Sequence, residues 1–351
     1  MDFFNTHKIN DDIIAVGVSG GADSLALALM LKDAGKKVVA LTVNHCLRNE
    51  AQAEAEYVAK VMQQNGIEHH ILLWNDGAKV KKGIENAARV ARYDLMFDFC
   101  KKNKINVLAT AHHMRDQAET FLLRLQRGSG LFGLSSMLPV SYREDITLVR
   151  PLLDTMPEDL KKYCKDRKVE WIEDPMNDDE DFTRVKIRKF LPQLNKIGID
   201  EKRLAETAKN LQNTRLFIQR LIDNFISSQV RWWEGVVVSL SYAKLKELDF
   251  EIAKGVLGYL LQKVGGTDYV PEITEIMRVL EVSDFKGCTL GKCELFIASK
   301  RLWIVPQDEK NELMKKDDWL NFVERFPQYK NYGLPYKVRR ALKQKLENKN
   351  G

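Results

Sequence analysis

Up to about Arg150, short apolar runs alternate with longer stretches of helical periodicity. Ile13 to Val18, Lys37 to Asn44, His69 to Trp74, Ile105 to Thr110 and Ile146 to Arg150 read as strands bounded by polar or glycine-containing turns. Ser24 to Ala34, Glu50 to Asn65, Ile84 to Lys102 and Gln117 to Arg127 read as helices between them, followed by Pro157 to Lys168. In the fourth of these, Ala118, Phe121, Leu122 and Leu125 fall at i, i+3, i+4 and i+7, which predicts one buried face. Strand and helix in alternation predict an α/β fold, a doubly wound parallel sheet whose ligand site lies beyond the carboxyl ends of its strands.

After a polar loop around Glu173 to Asp181 the pattern turns helical, from Lys186 to about Val230 and again from Tyr242 to Val264. Cys288 to Leu290 and Glu294 to Val305 read as strands. A boundary near Leu194 to Ile199 separates residues 1–195, the expected catalytic domain, from a smaller, mainly helical domain over 196–310. A basic tail follows over 311–351, with ten Lys/Arg against five Asp/Glu. A solvated helix and an RNA-contacting segment both explain such a tail.

Composition narrows the class. No stretch approaches the ~20 apolar residues of a membrane span, and no basic segment followed by an apolar run opens the chain, so a soluble, cytoplasmic protein is expected. Five scattered cysteines suit free thiols better than a disulfide framework. The net charge of +6 is a mild hint of a polyanionic partner. His69 and His70 point to opposite faces of a strand and cannot share a metal. His45, His112 and His113 lack the partners of a zinc site.

The chemistry sits at Ser19-Gly20-Gly21-Ala22-Asp23-Ser24, where a strand turns into a helix. Adjacent glycines let backbone N–H groups approach an anion, and the helix adds its positive dipole end. Ser19 and Ser24 offer hydroxyls to phosphate, and Asp23 offers a carboxylate to magnesium. The lysine of the Walker-A pattern is missing, so this is a different phosphate loop. Asp116 and Glu119, at i and i+3, share a helix face beside His112 and His113. Arg89 and Arg92 have the same spacing, that of a paired anion clamp, although a solvated face explains them equally from spacing alone.

In this setting SGG-x-DS resembles the pyrophosphate loop of ATP pyrophosphatases, a Rossmann-like fold. Four further segments resemble those of tRNA(Ile)-lysidine synthetases: Val43 to Arg48 (V-D-H-x-L-R), Ile84 to Tyr93 (L-E-x-x-A-R-x-x-R-Y), Thr110 to Thr120 with the Gly-rich stretch after it, and Trp171 to Arg188 (W-x-E-D-x-S-N, then T-R-x-x-I-R). With Gly287 to Phe296 the resemblance runs from about Ile13 to Val305.

The resemblance implies that ATP binds on Ser19, Gly20, Gly21, Ala22, Asp23 and Ser24 with His45 beside it. It implies attack of the wobble cytidine of a CAU-anticodon tRNA(Ile) on the α-phosphate, and displacement of AMP by free lysine. Asp23 and Asp116 are then expected to hold Mg2+, and Glu119 to orient the lysine amine. Arg92 would take either the α-phosphate or the lysine carboxylate, while Arg184, Lys186 and Arg188 would contact tRNA phosphates. Three residues depart from the family pattern. Arg115 stands in place of the first aspartate of H-H-x-D-D-Q, Asn44 in place of the V-D-H aspartate, and Cys46 in place of a small residue. The remaining acid, Asp116, is expected to suffice. The tail after about Lys310 is shorter than in the longer family members. A thiolating relative, an amidotransferase-type synthetase and an RNA-binding relative without catalysis are the competing readings.

Overall fold

The computed structural model describes residues 3–46, 50–75, 83–173, 183–267, 270–282, 284–307, 314–330 and 332–347. Leu47-Arg48 and the acidic segment 174–182, both part of the family resemblance, lie outside the described residues. The chain divides into two compact units, Met1–Arg215 and Leu216–Gly351.

The first unit runs α1 (Phe3–Thr6), β1 (Ile13–Gly17), α2 (Ala22–Asp33), β2 (Lys37–Asn44), α3 (Glu50–Gln64), β3 (Glu68–Leu73), α4 (Ile84–Lys102), β4 (Val107–Ala109), α5 (Met114–Gln126), α6 (Leu131–Leu134), β5 (Val140–Arg143), β6 (Ile146–Val149), α7 (Pro157–Asp166), α8 (Thr183–Asn195) and the start of α9 (Glu201–Gln229). Its six strands lie in the order β3-β2-β1-β4-β6-β5. All pairs are parallel except the β5–β6 hairpin, whose β5 was not expected from sequence.

Side-chain alternation sorts the two faces. Ile14, Val16, Val38 and Ala40 pack with α2, α3 and α7, whereas Ala15, Val39, Leu41 and Leu108 pack with α4. Helix α2 is buried nearly all round, with Leu25, Leu27, Leu29 and Leu31 at most 1% exposed. Each such leucine contributes roughly 1.5–3 kcal/mol, so the helix behind the Gly-rich loop is a rigid part of the core. Because β2 and β3 lie on one side of β1 and β4 on the other, the strand order reverses between β1 and β4. The crevice expected of a doubly wound sheet therefore opens beyond their carboxyl ends.

In α5 the predicted stripe is only partly right. Ala118 and Phe121 are buried with Leu191, Leu204 and Ala208, and Leu122 packs against them, but Leu125 is 53% exposed. The last turn runs beyond the helices that cover the earlier ones.

The second unit is not purely helical: where short strands were expected only near its end, it holds a five-stranded sheet. It contains the rest of α9, β7 (Arg231–Trp233), β8 (Val237–Ser241), α10 (Tyr242–Lys246), α11 (Phe250–Gly265), α12 (Ile273–Glu281), β9 (Gly287–Leu290), β10 (Cys293–Ala298), β11 (Arg301–Pro306), α13 (Lys316–Arg325), a 3-10 turn at Pro327–Tyr329 and α14 (Tyr336–Glu347). Five antiparallel strands form one sheet in the order β7-β8-β11-β10-β9. The single strand expected over Glu294 to Val305 is two, separated by Ser299 and Lys300, both at positive φ. That pair gives a hairpin turn matched to strand twist. The basic tail is no appendage: Trp319, Phe322, Val338 and Leu342 share a core with Trp233, Val237, Trp303 and Val305 of the sheet.

Candidate active site

The Gly-rich loop leaves β1 at Gly17 and enters α2 at Ala22, with Gly21 as N-cap and no side-chain cap. Its first backbone N–H groups are thus left to an anion. Gly20 has φ +91°, and a Cβ there would sit 3.0 Å from Ile172 Cδ1 and 3.2 Å from Val58 Cγ2. Only glycine fits both the conformation and the space. The loop is braced by Ser24, whose hydroxyl accepts from Ser19 N (3.1 Å) and donates to Gly21 O (2.9 Å). In this structure Ser24 holds the loop shape, while Ser19 Oγ lies 3.3 Å from Ser24 Oγ.

The segment from β4 into α5 faces this loop. His113, the N-cap of α5, is extended; its Nδ1 accepts from Asp116 N (3.3 Å), and Asp116 Oδ2 accepts from His113 N (2.9 Å). This reciprocal cap fixes Asp116 and turns His113 Nε2 toward Asp23 Oδ2, 3.6 Å away. Burial opposes the charged imidazole. The nearby Asp23 carboxylate and the charges of Asp116 and Glu119 outweigh it and raise the His113 pKa above its ordinary value. One turn on, Glu119 is fully buried, and its Oε1 accepts from Arg188 Nε at 2.8 Å. Asp23 Oδ1 and Glu119 Oε2 are buried with no hydrogen-bond partner among the described residues.

His112 faces the other way. It meets Thr110 Oγ1 at 3.0 Å, and burial followed by the charges of Arg150, Arg89, Arg92 and Arg184 holds its pKa well below the ordinary value. Arg89 and Arg92 both lie over the Tyr93 ring, 5.5 and 5.7 Å from its centroid. Arg150 hydrogen-bonds Tyr93, donates from Nη1 to Leu138 O (2.8 Å) and Ser141 Oγ (3.1 Å), and keeps a buried Nε that has no partner among the described residues. None of these four arginines pairs with a carboxylate among the described residues. Burial, with Arg89 and Arg184 adding repulsion, lowers the Arg92 pKa. Concentrated guanidinium charge of this kind suits an anion. Arg150 was missed from sequence, where it reads only as a strand end before Pro151.

The three residues expected to contact RNA diverge. Arg184 joins the arginine cluster, Arg188 pairs with Glu119, and Lys186 is exposed. Their helical spacing explains this, since i and i+4 share a face and i+2 lies nearly opposite. His45 packs edge-on to Trp74, ring centroids 5.6 Å apart. Asn44 Oδ1 accepts from Cys46 N at 2.8 Å, the turn-holding bond an aspartate makes equally well, and its amide donates to Gln52 Oε1. Arg115 points out of the crevice, to Glu158 (2.7 Å) and Glu201 (3.2 Å).

Among the described residues no group of three or more His, Cys, Asp or Glu side chains forms a metal site by itself. The unpartnered Asp23 Oδ1 nevertheless fits Mg2+, which takes one or two carboxylates and completes its shell from phosphate oxygens and water. No helix among the described residues is long and apolar enough to cross a membrane.

The family model of the PP-loop domain matches residues 2–194. The tRNA(Ile)-lysidine synthase of Wolbachia pipientis wMel is 31% identical over 315 residues, covering 87% of this chain and 73% of that one. That of Ruegeria pomeroyi is 34% identical, with 82% and 70% covered, and that of Hyphomonas neptunium is 32% identical, with 86% and 83% covered.

Proposed function

The chain belongs to the PP-loop family and, within it, to the tRNA(Ile)-lysidine synthases, which are ligases, and from this we infer how its crevice joins free lysine to a tRNA. One observation carries the reading: an uncapped phosphate loop is flanked by an acidic wall on one side of the His112-His113 pair and by an arginine wall on the other.

ATP lies with its β- and γ-phosphates against the backbone N–H groups from Gly21 to Ser24. The α-phosphate faces Arg92, with Arg89, Arg150 and Arg184 behind it, where the charge gained in the transition state is neutralised. Asp23, with Asp116 behind His113, would hold Mg2+, which supplies charge neutralisation on the leaving pyrophosphate. O2 of the wobble cytidine in a CAU anticodon attacks the α-phosphorus and pyrophosphate leaves. The lysine ε-amine then attacks C2 and AMP departs with its electron pair. Glu119 Oε2, buried and unpartnered, is the acceptor that orients the amine. His45 borders the nucleotide from the carboxyl end of β2. Lys186, exposed on α8, is the residue of its trio best disposed to meet RNA phosphates.

The test is lysine incorporation with purified protein, ATP, magnesium and labelled lysine, using a CAU-anticodon tRNA(Ile) transcript beside a methionine tRNA. Label is expected in the first RNA alone and is lost with Asp23→Ala. Tight tRNA binding without label defeats the reading.

A further inference from the structure

Arg115 stands where the family motif has an acid, on the helix that carries Asp116 and Glu119, so its charge ought to spoil a magnesium site. The geometry points elsewhere. Neighbours on a helix diverge by about 100°, and Asp116 is turned back onto the His113 amide while Arg115 leaves on another face. There its Nη2 donates to Glu158 Oε1 at 2.7 Å and its Nε to Glu201 Oε1 at 3.2 Å. Two carboxylates around one guanidinium leave no positive charge directed at the crevice. Glu158 lies in the first turn of α7 and Glu201 opens α9, positions where the helix dipole favours an acid. The Glu201 side chain is 18% exposed and that of Arg115 26%, so this pair is better shielded than a surface ion pair.

What the two acids are attached to gives the contact its meaning. Helix α7 is locked to α2, the helix that begins with the phosphate loop. Cys164 Sγ donates to Ala22 O (3.4 Å), Tyr163 OH donates to Asp33 Oδ2 (2.6 Å), and Arg167 pairs with the same carboxylate. At the head of α9, Leu204 and Ala208 share a core with Ala118 and Phe121 of α5. Arg115 thus ties the acid-bearing α5 to the body that carries Asp23, alongside the backbone bond from Met114 N to Thr155 O.

We propose that Arg115 is a positioning residue of the ligation reaction, clamping α5 to Glu158 and Glu201 so that Asp116 and Glu119 keep their place opposite the phosphate loop. This rests on the lysidine reading of the site and adds to it a residue that departs from the family motif. A consequence runs against the family pattern: restoring aspartate at position 115 places a third acid against Glu158 and Glu201, and harms the enzyme.

The test measures lysidine formation and thermal melting together for the full chain carrying Arg115→Gln, Arg115→Asp, and Arg115→Asp with Glu158→Lys. Arg115→Gln is expected to lower kcat/KM for lysine several-fold at unchanged tRNA affinity. Arg115→Asp should lower it tenfold or more, and the charge swap should recover most of that loss, which an unspecific fold defect would not allow. Wild-type activity in Arg115→Gln, higher turnover in Arg115→Asp, or no recovery in the swap overturns the proposal. A melting cycle of Arg115→Gln with Glu201→Gln reads the clamp independently of catalysis. Additive shifts overturn it, and coupled shifts support it even where wild type ligates no lysine, the outcome that defeats the functional reading instead.

Discussion

His112 and His113 are adjacent in sequence and opposite in setting. Extended backbone at His113 sends the two imidazoles to different sides. His112 is pressed toward the neutral form by burial and four arginines, whereas Asp23, Asp116 and Glu119 draw His113 toward the cation against its burial. The lesson is that the crevice is polarised. Its cationic wall suits a phosphate or a carboxylate and its anionic wall an amine or a metal ion, and the dipeptide between them is the seam.

If the walls divide the work in this way, their variants fail differently. Asp23→Asn keeps the shape of the acidic wall and loses its charge, so steady-state kinetics should record a fall in kcat of about 10²–10³-fold with tRNA affinity retained. An effect confined to KM breaks the division. Arg92→Met removes a charged donor from the other wall and should raise KM about ten- to a hundredfold. Whether ATP or lysine shows the rise identifies the anion held there, and no rise for either sinks the assignment. Gly20→Ala disturbs the loop that both walls face, where positive φ and the contacts with Ile172 and Val58 should lower stability by about 1–3 kcal/mol in denaturant unfolding. An unchanged midpoint would mean the loop relaxes freely.

The smallest effect separates the histidines themselves. Unfolded histidine titrates near pH 6.5. Below that, the unfolded chain binds a proton that folded His112 refuses, so its contribution is present above about pH 6.5 and is lost on acidification. His113 holds its proton to higher pH when folded. Its contribution is complete below about pH 6.5 and is lost as pH rises through the raised value. Each changes stability by at most about 1.4 kcal/mol per pH unit. His112→Gln should flatten the acid side of a melting-temperature profile and His113→Gln the alkaline side; the same change from both would erase the distinction.

Much of this was legible in the residues. Paired glycines between an apolar strand and a helix located the loop, and short apolar runs located β1, β2 and β3 to within a residue or two. Asp116 and Glu119 were placed on one face by spacing alone. What spacing does not carry is partnership across the chain: Glu119 meets Arg188 sixty-nine positions away, which changed the meaning of both residues. The β7–β8 hairpin was missed although Arg231-Trp232-Trp233 and Val236 to Val238 flank Glu234-Gly235, a turn with positive φ at both residues. Neighbouring helical periodicity masked that signal. In the second unit LWIV was recognised as strand but merged with the segment before it, because the short turn at Ser299-Lys300 carries neither glycine nor proline.

The shared core of α14 with β7, β8 and β11 has a consequence for synthesis. Trp233 and Leu346 belong to the same buried cluster, so this core cannot be completed while the later residue is still inside the ribosome. The phosphate-loop unit draws its main core from residues no later than Trp171 and can condense much earlier. A nascent chain arrested before α14 would present a formed nucleotide fold followed by an open, apolar sheet, the species on which a chaperone would act.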